Sequence, residues 1–165
     1  MSNAEILEYA IPHEAGHVVV SKAFNIPVQH IGFRLKNGLG TPIASIWQPD
    51  DHELNDITDK QRDEYCCGLA GGIAGELFAL RCYDPSNDEP QTVDRVLLAR
   101  LTIRDILEFV PAAKHTIHHH RRVFRQLCSK MKLRYPDVRR EIETSNNDGV
   151  FMLVTSEELD QLWCN

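Results

Sequence analysis

The sequence lacks long hydrophobic runs: none of its apolar stretches approaches the roughly 18 residues that a membrane-spanning helix needs. It also does not begin with the basic segment and apolar segment of a secretory signal peptide. None of its five cysteines forms a C-x-x-C pair, and their odd number indicates free thiols in a reducing compartment. From these features we predict a cytoplasmic protein that does not associate with a membrane.

Positive charge is also scarce, because 18 lysines and arginines stand against 24 aspartates and glutamates, for a net charge of −6. An acidic chain argues against general nucleic-acid binding. No Walker A sequence G-x-x-x-x-G-K-[S/T] is present, so we expect no ATP binding. No pattern in the sequence indicates an oligomeric state.

What the sequence does contain is the composition of an ordinary globular domain, with 42% hydrophobic residues in 165. Helical patterns dominate, and an alternating pattern around a Lys-Asn-Gly turn predicts a hairpin. We therefore predict a single domain, 1–165, with a mainly α-helical α+β fold and a small β-hairpin or sheet. Helices are predicted at about 4–24 (starting near Ile11 or kinked at Pro12), 58–82, 92–109 and 112–134, with short ones after Pro136 and Thr155; strands are predicted at 28–35, 41–48 and 150–154, and a polar loop at 49–59.

The residues that carry chemistry are His13-Glu14-Ala15-Gly16-His17, an H-E-x-x-H sequence on a predicted helix. Residues four apart on a helix differ by only about 40° around its axis, so His13 and His17 project from one face and could bind one zinc ion. Glu14, on the adjoining flank, could take a proton from water as a general base. A catalytic zinc needs a third protein ligand, and that ligand must come from later in the chain, because Val20 and Ala23 exclude the metzincin extension.

Residues 68–76, with the sequence Gly-Leu-Ala-Gly-Gly-Ile-Ala-Gly-Glu, include six glycines and alanines out of nine. Each interior glycine costs a helix about 1 kcal/mol relative to alanine, so several together need a reason. The close approach of another helix is one such reason. We predict that this segment packs against the helix that carries His13 and His17.

Together these segments resemble the FtsH-type zinc peptidase domain, the proteolytic half of the membrane-bound AAA proteases. The H-E-A-G-H sequence matches that family in full, and residues 69–76 are similar to its small-residue helix. The resemblance covers about 4–107 and leaves a helical C-terminal extension, about 112–165. It implies a zincin-like fold and an aspartate that completes the metal site at the start of the next helix.

Three carboxylates are candidates for this third ligand. Ser86-Asn87-Asp88 is literally similar to the family sequence, whereas Thr92-Val93-Asp94 has the same form and leads into an uninterrupted helix. With Thr92 as the N-cap, Asp94 would lie in the first turn, where the helix dipole favours a carboxylate. We predict Asp94, and keep Asp88 and Glu76 as alternatives; Glu76 is expected to lie behind the site.

The function that these expectations imply is a zinc-dependent, ATP-independent metallopeptidase that acts on peptides or unfolded proteins. Zn²⁺ would be held by His13, His17 and Asp94, and Glu14 would be catalytic. Residues 43–46 could bind an extended substrate as an edge strand. The alternative is a non-catalytic, zinc-stabilised interaction module derived from the same fold.

One further segment stands out by its charge. Nine of the 18 lysines and arginines lie within residues 114–140, against a single acidic residue, and a histidine run lies in the same segment. Such a segment is typical of a solvated helix face, and it could also be a partner-binding or polyanion-binding surface.

Overall fold

The computed structural model describes residues 6–36, 39–50, 52–81, 89–145 and 148–164. Within these ranges the chain is mainly helical and carries one small antiparallel sheet, as predicted. In chain order the elements are a π-helical turn (Ile6–Ala10), α1 (Ile11–Ala23), β1 (Val28–Lys36), β2 (Leu39–Ile46), α2 (Glu53–Asp56), α3 (Asp59–Leu80), α4 (Glu89–Leu101), a 3-10 turn (Ile106–Glu108), α5 (Val110–His119), α6 (Arg121–Thr144), β3 (Gly149–Thr155) and α7 (Ser156–Cys164).

Helix α1 packs closely along helix α3, which confirms the prediction made from the small-residue run. Residues 68–76 of α3 are all buried. A Cβ built on Gly16 of α1 would lie 2.1 Å from the carbonyl oxygen of Gly71, and one on Gly75 would lie 2.2 Å from that of Pro12. No real Cβ could occupy either position. The glycines that weaken α3 as an isolated helix therefore allow the contact that places its residues beside the histidines.

The predicted hairpin forms strands β1 and β2 of a three-stranded sheet. The strand order is β2-β1-β3, and β1 pairs with both of its neighbours in antiparallel orientation. Residues Ile31, Phe33 and Leu35 of β1 are buried, as the alternating pattern predicted. The predicted strand at 150–154 is confirmed as β3 and pairs with β1. Strand β2 is an outer strand of this sheet, and the turn predicted at 37–38 lies outside the described residues.

One predicted alternative is decided and two predicted boundaries need correction. Two helical segments meet at Ile11, so that Pro12 lies in the first turn of α1, where its missing N–H is tolerated. Part of the predicted loop 49–59 forms the short helix α2. Helix α4 begins at Glu89 and not at Thr92, because Pro90 suits a first turn, and it ends at Leu101.

The basic segment forms two helices where one was predicted. The helix breaks at His120, whose ring stacks on Trp163 of α7 with ring centroids 4.7 Å apart. Helix α6 then continues through Pro136, where we predicted a break. Tyr135 and Val138, on either side of that proline, are both buried, so packing against the core outweighs the lost backbone hydrogen bond.

A partly buried cluster of charged side chains attaches helix α7 to α6. The guanidinium of Arg134 donates hydrogen bonds to both carboxylate oxygens of Glu158 and to the carbonyl oxygen of Leu153. These bonds from Arg134, with one from Lys130, lower the pKa of Glu158 to about 2. Thr155 and Glu158 also form the predicted capping arrangement at the start of α7.

The thiols that the structure describes are all free: Cys66, Cys67, Cys128 and Cys164 form no disulfide with one another. Burial raises the pKa of the Cys66 thiol to about 12 and that of Cys67 to about 11, so both side chains are unreactive core residues. Among the described helices, none combines the length and the apolar character needed to cross a bilayer.

Candidate metal centre

The two histidines of the H-E-x-x-H sequence lie one turn apart on α1 and face α3. His13 is 1% exposed and His17 is 5% exposed, so both are buried. Their Nε2 atoms lie 3.0 Å apart, with the two rings at 77° to each other. Each of these nitrogens carries either a lone pair or a proton. At this distance, the two atoms can share a single positive charge.

Asp94 of α4 supplies the third atom of this cluster. Its Oδ2 atom lies 3.2 Å from Nε2 of His17 and 3.4 Å from Nε2 of His13. In a tetrahedral zinc site with metal–ligand distances of about 2.0–2.1 Å, neighbouring ligand atoms are about 3.3 Å apart. The three atoms therefore have the mutual spacing of three corners of a tetrahedron around a zinc ion.

Hydrogen bonds on the far side of each ring orient the cluster. Nδ1 of His13 donates to Oε1 of Glu76 at 2.7 Å, and Nδ1 of His17 donates to the carbonyl oxygen of Gly68 at 2.9 Å. With both Nδ1 atoms used as donors, each Nε2 is left to bind an ion as an acceptor. Both partners come from α3, so the α1–α3 contact also sets the tautomer of the histidines.

The buried carboxylate in this cluster favours a positively charged partner. Oδ2 of Asp94 is buried and has no hydrogen-bond partner among the described residues. Burial would lower the pKa of His13, but the carboxylates of Asp94 and Glu76 raise it to about 10. Burial would likewise raise the pKa of Asp94, but the charges of His17 and His13 hold it below its usual value. A cation is thus favoured here, and a metal ion fits the donor set.

Glu14 lies beside this cluster without joining it. It is 6% exposed, and a backbone hydrogen bond from Ala44 connects it to strand β2. Burial raises the pKa of Glu14 above its usual value, although the neighbouring histidines oppose this effect. A carboxylate with a raised pKa, next to a candidate metal site and an outer strand, can accept a proton from water and release it again.

Gly72 of α3 provides the space that the cluster occupies. A Cβ at this position would lie 2.4 Å from Nε2 of His13 and 2.6 Å from Nε2 of His17. The absent side chain therefore opens the volume directly in front of both ring nitrogens.

Replacing Gly72 with alanine is expected to weaken zinc binding by about 5- to 150-fold, because overpacking of this kind costs about 1–3 kcal/mol. Competition with a chromophoric zinc chelator measures the affinity. Gly149→Ala is the matched control, since a Cβ at Gly149 has nothing within 4 Å. If Gly72→Ala binds zinc as tightly as the control, the ion does not use this space.

The structure brings His13, His17 and Asp94 together, with Glu14 at their side and Glu76 behind His13. The geometric prediction for Asp94 is confirmed, whereas its role as a ligand stays a prediction. The alternative Asp88 lies outside the described residues.

The reasoning that led to Asp94 was wrong in one respect. Thr92 is not the N-cap of α4; the helix begins three residues earlier, so Asp94 lies in its second turn. The effect of the helix dipole fades beyond the first turn, and it does not hold this carboxylate ionised. The histidines do so instead.

Sequence reasoning also missed the carbonyl oxygen of Gly68 and the space at Gly72. The glycine run was recognised, but only as a surface for helix packing. A signal was available in the spacing: Gly68, Gly72 and Glu76 recur every four residues and so share one face of α3 with direct access to the histidines.

A scan against family models finds none that matches this chain, and a search of curated proteins finds no match either.

Proposed function

We propose that this protein is a zinc-dependent metallopeptidase that hydrolyses peptides or unfolded polypeptides without ATP. The observation that carries the proposal is the meeting of Nε2 of His13, Nε2 of His17 and Oδ2 of Asp94 next to the uncoordinated carboxylate of Glu14. Zinc bound there would polarise the scissile carbonyl and lower the pKa of an attacking water.

The residues of the chain have separate roles in this reaction. His13, His17 and Asp94 hold the ion, and the hydrogen bonds to Glu76 and Gly68 keep the two rings in the orientation that binding requires. Glu14 takes a proton from the attacking water and passes it to the amine that leaves. Burial raises the pKa of Glu14 above its usual value, which favours the uptake of this proton.

Strand β2 supports a peptide as the substrate. It is an outer strand of the sheet, and its residue Ala44 contacts Glu14 through the backbone. An extended chain that pairs with this strand would pass beside the proposed base. Only unfolded or flexible segments can adopt that conformation, which is why a peptidase without an ATPase is restricted to them. The FtsH-type zincin fold, suggested by the sequence, is part of this proposal.

The test is metal analysis of the purified protein together with hydrolysis of an unfolded fluorescent protein substrate. We expect about one zinc per chain, and cleavage that stops with 1,10-phenanthroline and returns when zinc is added. Zinc binding without any cleavage would contradict the peptidase, and an absence of zinc binding would contradict the metal centre itself.

One observation favours a second candidate, a non-catalytic module stabilised by zinc. All three proposed ligands are buried, with Asp94 only 7% exposed, and closed sites of this kind are typical of structural zinc. A structural site has no use for a general base, however, and Glu14 is present. Glu14→Gln separates the two candidates, because only the peptidase needs the base.

A further inference from the structure

A second feature of the molecule is a surface groove of about 460 Å³ where the C-terminal end of α3 meets α5 and α6. Its lining includes two apolar residues of α3, Leu77 and Phe78. Among the described residues, all other side chains that line it are basic. This basic groove is formed by Arg81, which directly follows α3, Lys114 and His118 of α5, and Arg121 and Arg125 of α6.

The charge of the basic groove is not neutralised by the described part of the chain. No acidic side chain lines it, and Arg81, Lys114 and Arg125 form no ion pair among the described residues. The C-terminal half of α6 is different, because Arg134 and Arg139 there pair with glutamates. In a chain of net charge −6, a groove with uncompensated cations is a local feature and not a result of composition.

The position of Arg121 strengthens this conclusion. It is the first residue of α6, and the first turn of that helix contains no acidic residue. The helix dipole disfavours cations at an N-terminus, so a sequence chosen only for stability would place acidic residues there. Local choices that oppose stability are expected at binding sites.

Phe78 gives the basic groove an apolar floor. Its ring packs edge-on against Phe124, with ring centroids 5.4 Å apart, and lies 6.3 Å from the ring of His118. These contacts fix the ring between α5 and α6. A ligand that fills the groove would therefore combine negative groups with at least one apolar group.

We propose that the basic groove binds an acidic peptide segment, with carboxylates at Lys114, Arg121 and Arg125 and an apolar side chain on Phe78. The cations lie on α5, on α6 and just beyond the end of α3, and they are exposed, which suits an extended ligand with several carboxylates better than a single enclosed phosphate. The acidic remainder of the chain would repel a long nucleic-acid backbone. The inference does not depend on the metal chemistry.

Fluorescence anisotropy of a labelled 12-residue Glu-Glu-Leu repeat peptide tests the proposal, with a Gln-Gln-Leu repeat as the uncharged counterpart. The assay contains 1,10-phenanthroline, so that peptide carboxylates cannot bind a metal ion at the histidines. We expect the glutamate peptide to bind at least tenfold more tightly than the glutamine peptide. Its affinity should fall as salt rises from 0.05 to 0.5 M, because exposed charges are screened.

The groove variant is Arg121→Glu with Arg125→Glu, and its control is Arg122→Glu with Lys132→Glu, which makes the same change in net charge on the same helix outside the groove. The groove variant should lose about tenfold or more in affinity and the control less than threefold. If the groove variant does not fold, Arg81→Gln with Lys114→Gln replaces it, with an expected loss of at least threefold.

Three results would overturn the proposal. The first is no binding of the glutamate peptide to the wild-type protein at 1 mM. The second is an equal loss in the groove variant and the control, which would show that only net charge matters. The third is tighter binding of a 12-nucleotide single-stranded DNA than of the peptide, which would assign the groove to nucleic acid.

Discussion

Replacing Glu14 with glutamine is expected to reduce hydrolysis of an unfolded substrate by about 10²–10⁴-fold while zinc remains bound at one ion per chain. The substitution keeps the size of the side chain and its ability to accept the backbone hydrogen bond from Ala44. It removes only the capacity to take up a proton at neutral pH. Because Glu14 lies outside the ligand cluster, the affinity for zinc should change little.

Two measurements together make this result decisive: the initial rate of cleavage and the zinc content of the same sample. A rate equal to that of the wild-type protein would exclude Glu14 as the base. A loss of zinc along with activity would mean that Glu14 acts as a ligand, as a closed structural site with a fourth protein donor would require. The second outcome would replace the peptidase with the zinc-stabilised module.

The second large effect is expected from Asp94→Asn, which should weaken zinc binding by on the order of 10²–10³-fold. Structural zinc sites gain about 10–16 kcal/mol from four ligands, so that one ligand accounts for about 2.5–4 kcal/mol. The asparagine oxygen keeps the shape of the site but not its negative charge. Zinc stabilises the fold only to the extent that it binds, so the melting temperature of this variant should rise less than that of the wild-type protein at the same zinc concentration.

The matched control for this variant is Asp137→Asn, an exposed aspartate on α6 whose side chain is 75% exposed. Its zinc affinity and its melting temperature with zinc should equal those of the wild-type protein. If Asp94→Asn also binds zinc normally, the third ligand has been assigned wrongly. Asp88 and Glu76 would then be the residues to replace next.

The fold shows which sequence signals are local and therefore readable. The four-residue spacing of His13 and His17 places them on one helix face whatever the rest of the chain does. The capping arrangement of Thr155 and Glu158 is equally local and was predicted correctly. The small-residue run was readable for a related reason, since glycines that oppose a helix must be compensated by a close contact.

Other features depended on local signals that oppose one another. The sequence does not show which of these signals prevails. Pro90 and Thr92 both mark a helix start, and the structure uses the proline. Pro136 marks a helix end, yet α6 continues because Tyr135 and Val138 gain more from burial than the proline takes away. In both cases the rest of the fold decides which local signal prevails. A local sequence pattern contains no information about the rest of the fold.

The sequence by itself determined the paired histidines, the adjacent carboxylate, the mainly helical class and the need for a close helix contact, because each rests on residues within a few turns of one another. Only the tertiary structure decided that β3 pairs with β1, that Asp94 meets the histidines, and that basic residues of α5, of α6 and of the end of α3 surround one groove. These arrangements join residues far apart in the chain, and periodicity, which reports the face of an element, carries no information about the element that will cover it.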